Sequence, residues 1–136
     1  MALPNGAGGY QVGDGNLSEV VLGYVGTPAT ATATATLTAA QATAGILLGS
    51  PGSSAASYTL PTVALLEATV SSAKVGSTFD LSIINVDGSG SGVITVVAGT
   101  GWTLVGLATV AATAGTAQLF RARKTGDGTW SLYRIA

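Results

Sequence analysis

Residues 79–86 read FDLSIINV and decide the fold class. Apolar and polar side chains alternate along this stretch, so Phe79, Leu81 and Ile83 lie on one face of a strand and Asp80 on the other. Phenylalanine and isoleucine also fit the pleated, half-buried surface of a sheet. The stretch therefore predicts a core β-strand.

The rest of the second half repeats the same signal. Short β-rich runs are separated by the glycine-rich turns DGSGSG, AGTG, TAGT and TGDG; the runs are residues 93–97, 102–105, 108–111, 117–124 and 130–135. Short strands at such regular spacing predict an all-β domain of the sandwich or barrel type.

The last two strands form a hairpin whose register follows from charge. A turn centred on residues 127–128 places Arg121 opposite Arg134, and a like-charge pair directly across two strands is unfavourable. A turn one residue earlier places Arg123 opposite Trp130 instead, where a guanidinium can stack on an indole. We therefore predict the second register.

The first half mixes strands and short helices. Residues 46–48 and 58–60 read as strands. Thr38 begins a capping-box pattern that predicts one helical turn. Thr62 can cap a second helix over residues 61–72, in which Val63, Leu66 and Val70 share one face.

Residues 29–36 read ATATATAT, an alternation with a period of two that favours a strand. Both faces of this strand carry small side chains, so neither fixes the register strongly. Two pairings remain open: an edge strand within the chain, or a strand that pairs across a subunit boundary.

The N-terminus forms a separate unit, and we divide the chain into an arm with a first strand (residues 1–26) and a core domain (residues 27–136). Residues 19–25, EVVLGYV, predict the first strand. The glycine-rich residues before them disfavour regular structure, yet they carry the apolar side chains of Leu3, Tyr10, Val12 and Leu17. We expect these side chains to anchor the arm on a partner, with a frayed terminus as the alternative.

Charged residues are scarce: five basic and six acidic side chains give a net charge of −1 over 136 residues. Nucleic-acid binding proteins carry a basic stripe, so we expect no nucleic-acid partner. Little charge remains to keep copies apart. We therefore expect burial against identical copies or a larger assembly, with a Thr/Ser-coated monomer as the alternative.

Chemistry-bearing residues are also scarce, because the chain has no Cys and no His. Their absence excludes disulfides, thiolate chemistry and most zinc sites. The acidic residues fall in isolated turns and outward positions, so we expect no catalytic residue, no cofactor and no enzyme activity. A calcium loop opening at Asp87 would need a glutamate where Ala98 stands, so we expect no metal site either.

The longest weakly apolar stretch, residues 104–115, is shorter than the roughly 20 residues of a membrane helix. No basic-then-apolar leader opens the sequence. We therefore expect no membrane partner.

Arginine is favoured at protein interfaces because its planar fork binds carboxylates and stacks on rings. The three arginines are Arg121, Arg123 and Arg134. We treat them as candidate subunit contacts, with a solvated strand face as the alternative.

Several runs together resemble the small capsid-decoration (cement) proteins of tailed bacteriophages. They are LTAAQ at 37–41, GILLGSP at 45–51, YTLPTVALLEA at 58–68, KVGSTFDLSIINVDG at 74–88, VAGTGWTLVG at 97–106 and FRARKTGDGTWSLYRI at 120–135. The opening GGYQVGDGNLSEVVLG at 8–23 is similar to the start of such proteins.

This resemblance implies a β-sandwich or jelly-roll-like core with one short helix and an extended N-terminal arm. It also implies a homotrimer on the outer capsid surface of a virion, with the major capsid protein as partner. The same module resembles parts of tail fibres, so a receptor-binding module is the alternative. A carbohydrate-binding β module is a third possibility, for which Trp102, Trp130 and Tyr133 are the candidate contacts.

Overall fold

Strands in two sheets make up most of the fold. The computed structural model describes residues 22–87 and 91–136. The strands are β1 Ala29–Ala31, β2 Ala35–Thr36, β3 Ile46–Gly49, β4 Ala56–Thr59, β5 Thr78–Asn85, β6 Ile94–Val97, β7 Trp102–Val105, β8 Thr109–Val110, β9 Thr116–Gly126 and β10 Thr129–Arg134. Two helices are present, α1 Ala39–Ala42 and α2 Val63–Thr69. The predicted all-β class is confirmed.

The two sheets differ in size. One has six strands in the order β1-β3-β5-β9-β10-β7, and the other has four in the order β2-β4-β6-β8. β9 pairs antiparallel with both β5 and β10, whereas β7 runs parallel to β10 at the far edge. The six-stranded sheet is therefore mixed.

The first six strands alternate between the sheets. β1, β3 and β5 are parallel neighbours in the larger sheet, and β2, β4 and β6 are parallel neighbours in the smaller one. The chain therefore coils through the two sheets three times. We call each turn of this coil a rung: β1 and β2 form the first rung, β3 and β4 the second, and β5 and β6 the third. This repeat is hard to see in the sequence, because the first two rungs share little beyond a Thr-Leu pair before each helix, Thr36-Leu37 and Thr59-Leu60.

Both predicted helical segments are present and capped as the sequence indicates. The Gln41 N–H donates to the Thr38 hydroxyl at 3.1 Å, and the Thr38 N–H donates to the Gln41 side chain at 2.8 Å. Thr62 accepts from the N–H of Leu65 at the start of α2. These bonds satisfy N–H groups that helix starts leave open.

The inner faces of both sheets contribute to one buried cluster. Leu81 and Ile83 of β5 are 1% and 0% exposed, and Phe79 packs against the same cluster. The smaller sheet supplies Tyr58, Ile94, Val96 and Val110. The alternation predicted for residues 79–86 is confirmed by this burial.

Asn85 ends β5 and is fully buried. Its Nδ2 donates to the carbonyls of Gly92 and Ala111 at 2.9 and 3.0 Å, and its Oδ1 accepts from the Asp87 N–H at 3.1 Å. A buried amide must find partners for both its donors and its acceptor. Asn85 therefore ties the end of β5 to the segments that flank β6 and β8.

The Ala-Thr run forms two edge strands within the chain, β1 in the larger sheet and β2 in the smaller one. The chain crosses between the sheets after Ala31. There the Tyr58 hydroxyl contacts the carbonyls of Ala31 and Thr32 at 3.1 and 3.0 Å. The Tyr58 hydroxyl, on the second rung, thus holds the backbone where the first rung crosses from one sheet to the other.

The hairpin register predicted from charge is wrong. Lys124, and not Arg123, lies opposite Trp130, while Arg123 lies opposite Ser131.

A β-bulge explains the difference. The turn does lie at residues 127–128, but the register shifts by one residue around Thr125. This shift places Arg121 opposite Tyr133 and removes the Arg121–Arg134 pairing that argued against the turn.

Candidate interaction surface

The predicted arm anchors Leu3, Tyr10, Val12 and Leu17 lie outside the described residues. The first described residues, 22–25, continue that arm into the body, and we call them the leading segment. Leu22, Tyr24 and Val25 are 85%, 91% and 57% exposed. Side chains of these types are normally buried, so the leading segment presents an apolar surface to solvent.

The leading segment lies beside the start of β3. A Cβ built on Gly45 would sit 3.7 Å from a methyl group of Val25. Residues 22–25 belong to neither sheet in the part of the chain that the structure describes. The predicted strand over 19–25 is therefore absent from its described half.

Val105, Leu107 and Ile135 form a second exposed apolar group, which we call the β7 corner. They are 46%, 64% and 50% exposed. Val105 pairs with Tyr133, and a Cβ built on Gly106 would lie 3.0 Å from the Cβ of Arg134. Gly106 and Arg134 thus approach each other closely at this edge, and Leu107 and Ile135 are the residues that follow them, with the chain bending at Gly106, whose φ is +96°.

Arg121 is held by an ion pair within the chain. Its Nε and Nη2 donate to the two carboxylate oxygens of Asp80 on β5, at 2.7 and 3.0 Å. The hydrogen bond and charge of Arg121 lower the pKa of Asp80. The outward direction predicted for Asp80 agrees with its exposure.

The three arginines do not share one face. Arg121 and Arg123 point outward from β9, two residues apart. Arg134 pairs with the buried Phe120, and residues paired across two strands lie on the same face of the sheet, so Arg134 lies on the inner face. All three are exposed. Among the described residues, Arg123 and Arg134 form no ion pair.

The two tryptophans are core residues. Trp102 and Trp130 are 8% and 1% exposed, with ring centroids 6.0 Å apart. The indole of Trp102 donates to the Pro61 carbonyl at 2.8 Å, and that of Trp130 donates to Glu67 at 3.0 Å. Neither ring is available to stack on a ligand, and of the three aromatic candidates only Tyr133 is partly exposed.

Glu67 joins α2 to the hairpin. Its Oε2 accepts from both the Lys124 ammonium and the Trp130 indole. These two donors lower the pKa of Glu67, with the larger contribution from Lys124. Helical periodicity puts Glu67 off the apolar face formed by Val63, Leu66 and Val70, but periodicity alone does not show that a bulged hairpin brings a lysine to it.

Three of the four carboxylate side chains in the described ranges make contacts within the chain. Glu67 and Asp80 each pair with a cation, and Asp87 accepts from the Ser50 hydroxyl at 3.5 Å. Over residues 22–87 and 91–136, no group of three or more Asp or Glu side chains is arranged to hold a metal ion.

Neither described helix has the length and hydrophobicity to cross a membrane.

Comparison with known proteins yields no match. No family model matches the sequence, no curated protein is significantly similar to it, and no solved structure is significantly similar to the fold.

Proposed function

We propose that this protein is a structural component of a phage virion that binds the outer capsid surface and bridges neighbouring major-capsid subunits. The leading segment is the observation that supports this function best. Leu22 and Tyr24 are 85% and 91% exposed although the body they join buries Tyr58 and both tryptophans. A well-packed body with an exposed apolar extension is suited to docking on a larger assembly.

We infer that the two sheets pack face to face as a β-sandwich. Both sheets contribute to one buried cluster. A jelly roll is built from antiparallel strands, whereas five of the eight described strand pairings are parallel. The pairing pattern therefore argues against a jelly roll, and the shared core is what supports the face-to-face packing of the two sheets.

The proposed mechanism is burial of uncharged surface. Burying a large apolar side chain contributes roughly 1.5–3 kcal/mol. The arm offers several such side chains to the shell, namely Leu3, Tyr10, Val12 and Leu17, and the leading segment offers Leu22, Tyr24 and Val25 to the shell or to an adjacent copy. Few charges on the body need to be desolvated on contact, since the chain has only eleven ionic side chains, five basic and six acidic.

The proposal also includes self-association, as a homotrimer on the shell. Such a ring would place three arms on neighbouring capsid subunits and add their affinities through effective concentration. Bridging of this kind would hold subunits together against the pressure of packaged DNA.

The test uses capsid shells that lack this protein. We expect the wild-type chain to decorate them, and a variant lacking residues 1–18 to lose at least tenfold in affinity, measured by co-sedimentation and electron microscopy. The double variant Leu65→Ala/Val75→Ala removes two exposed apolar side chains elsewhere, at 59% and 62% exposure, and should bind normally. Unchanged occupancy of the truncated variant would remove the role of the arm, and absence of wild-type binding would remove the function.

The alternative, a receptor-binding or carbohydrate-binding module, requires exposed aromatic rings. The burial of Trp102 and Trp130 does not favour it. A glycan array with clear hits would support the alternative over capsid decoration.

A further inference from the structure

We propose that the leading segment of one copy pairs as an added β-strand with the open edge of β7 in a second copy, where Leu22 and Tyr24 cover the β7 corner. This inference rests on the self-association included in the proposed function. It adds which surfaces of the two copies meet.

The leading segment has the composition of a strand but no ladder. It is the end of the run EVVLGYV, rich in the β-branched and aromatic residues that favour sheets. In the described part of the chain, residues 22–25 join no strand. Within the described ranges, their backbone groups therefore join no sheet edge, and the side chains of Leu22 and Tyr24 stay exposed.

β7 has an edge that can accept a strand. The Trp130 N–H donates to the Gly101 carbonyl at 3.0 Å. In a parallel ladder the backbone groups of alternate residues face the same neighbour, so those of Thr103 also face β10. The N–H and C=O of Leu104 therefore face the open side of β7. Thr103 and Val105 are both exposed. An added strand would pair with this backbone.

The other edges of the two sheets are less suitable. On β1, the Ala31 carbonyl accepts from the Ser50 N–H just after β3, so the backbone groups of Thr30 face outward. The Thr30 carbonyl already accepts from the Gln41 side chain at 2.8 Å. β2 and β8, at the edges of the smaller sheet, are only two residues long. β7, with four residues, is the longest described edge strand whose outer backbone groups no side chain is seen to occupy.

The acceptor must belong to a second copy, because the distance within one copy is too large. Val25 lies next to Gly45 at the start of β3, and four strand spacings separate β3 from β7. At about 4.8 Å per spacing this is roughly 19 Å, whereas the three residues from Val25 back to Leu22 span at most about 10 Å.

Donor and acceptor are different surfaces, so the contact is head-to-tail. Such contacts close into rings or continue as filaments, according to the rotation between copies. A ring of three would agree with the homotrimer expected from the resemblance.

A complementation experiment tests this geometry. Leu22→Asp/Tyr24→Asp removes the donor and Val105→Asp/Leu107→Asp removes the acceptor; all four side chains are exposed, and circular dichroism checks the fold. By analytical ultracentrifugation we expect an oligomer for the wild type and a monomer for each variant, with at least a 100-fold weaker association. An equimolar mixture of the two variants should form a dimer, since one intact contact remains.

A disulfide test places the two surfaces directly against each other, because the chain has no cysteine of its own. Tyr24→Cys mixed with Val105→Cys should give a covalent dimer on oxidation. Leu65→Cys mixed with Val105→Cys is the matched control and should give none. This test remains informative if an acceptor variant with two aspartates does not fold.

The outcomes separate the two proposals. An oligomer that neither double variant disrupts, or a mixture that stays monomeric, would overturn this contact and leave capsid binding untouched. A wild-type monomer at all concentrations would overturn the contact and the self-association, while the shell-binding assay would still decide the proposed function.

Discussion

Tyr24 and Tyr58 show how differently two regions of this protein treat the same residue type. Tyr58, on the second rung, is fully buried and its hydroxyl contacts two backbone carbonyls. Tyr24, in the leading segment, is 91% exposed. Both lie in sequences that favour strands, so the difference comes from the availability of a ladder partner and not from local propensity.

The rungs provide that partner and the leading segment does not. Each rung pairs with the next in both sheets, so every strand gains backbone bonds and a covered inner face together. The comparison predicts that substitutions of buried residues in the body change the free energy of unfolding, whereas substitutions in the leading segment change association alone.

The largest expected loss of stability follows Trp130→Ala. Trp130 is 1% exposed, lies against Phe79 and Trp102, and donates to Glu67. Removing a buried aromatic side chain costs about 3–5 kcal/mol. Urea unfolding measures the loss, and the exposed Thr103→Ala on the neighbouring strand should stay within about 0.5 kcal/mol of wild type. Equal effects of the two changes would contradict the assignment of this region to the core.

Asn85→Ala should have the next largest effect. The change removes the donor from the carbonyl of Gly92, which is buried, and from that of Ala111, and an unsatisfied buried group costs roughly 1–3 kcal/mol. We expect a total loss of about 2–3 kcal/mol in the same urea experiment. Ser82→Ala, on the opposite face of β5, is the control and should be nearly neutral. A neutral Asn85→Ala would show that these bonds do not hold the loops.

Glu67→Gln should reduce stability in a pH-dependent way. The pKa of Glu67 is lowered in the fold by Lys124 and Trp130, so its carboxylate stabilises the protein above about pH 4.3, the ordinary pKa of glutamate. This stabilisation is lost as the pH falls through the lowered pKa of the folded state. The difference in Tm between wild type and Glu67→Gln should therefore be largest near pH 7 and narrow toward pH 3.

Asp80 titrates in the same direction, because Arg121 lowers its pKa as well. Asp80 is present in both the wild type and Glu67→Gln, so its contribution cancels when the Tm of one is subtracted from that of the other. A difference that stays constant from pH 7 to pH 3 would contradict the role of the Glu67 charge.

Local pattern predicted the strands and helix caps well, because each depends on neighbouring residues. Residues 102–105 match β7, and the Thr38 capping box forms as predicted. Pairing between distant strands was not predictable in the same way. The alternation of residues 29–36 indicates a strand, but it does not show that the chain crosses between sheets after Ala31.

The candidate interaction surface, too, was predictable only in part from local sequence. The sequence suggested apolar anchors at Leu3, Tyr10, Val12 and Leu17, which lie outside the described residues. It predicted a strand for residues 19–25, whereas Leu22 and Tyr24 are exposed and join neither sheet. It did not indicate the β7 corner, because Val105 and Leu107 stay exposed only where the sheet ends beside them. The hairpin register was wrong because nothing in residues 124–126 marks a bulge.

The smallest expected effect gives the most direct comparison of the two regions, since the same atom is removed from each. Tyr58→Phe deletes a hydroxyl that contacts the carbonyls of Ala31 and Thr32, and losing such a buried bond costs about 1–2 kcal/mol. Tyr24→Phe deletes a hydroxyl from a side chain that is 91% exposed, so the free energy of unfolding should stay within about 0.5 kcal/mol. Urea unfolding at a protein concentration that keeps both variants monomeric measures the pair, because association would otherwise add to the apparent stability. If Tyr24→Phe cost as much as Tyr58→Phe under these conditions, the leading segment would be packed within its own copy and unable to serve as a donor strand.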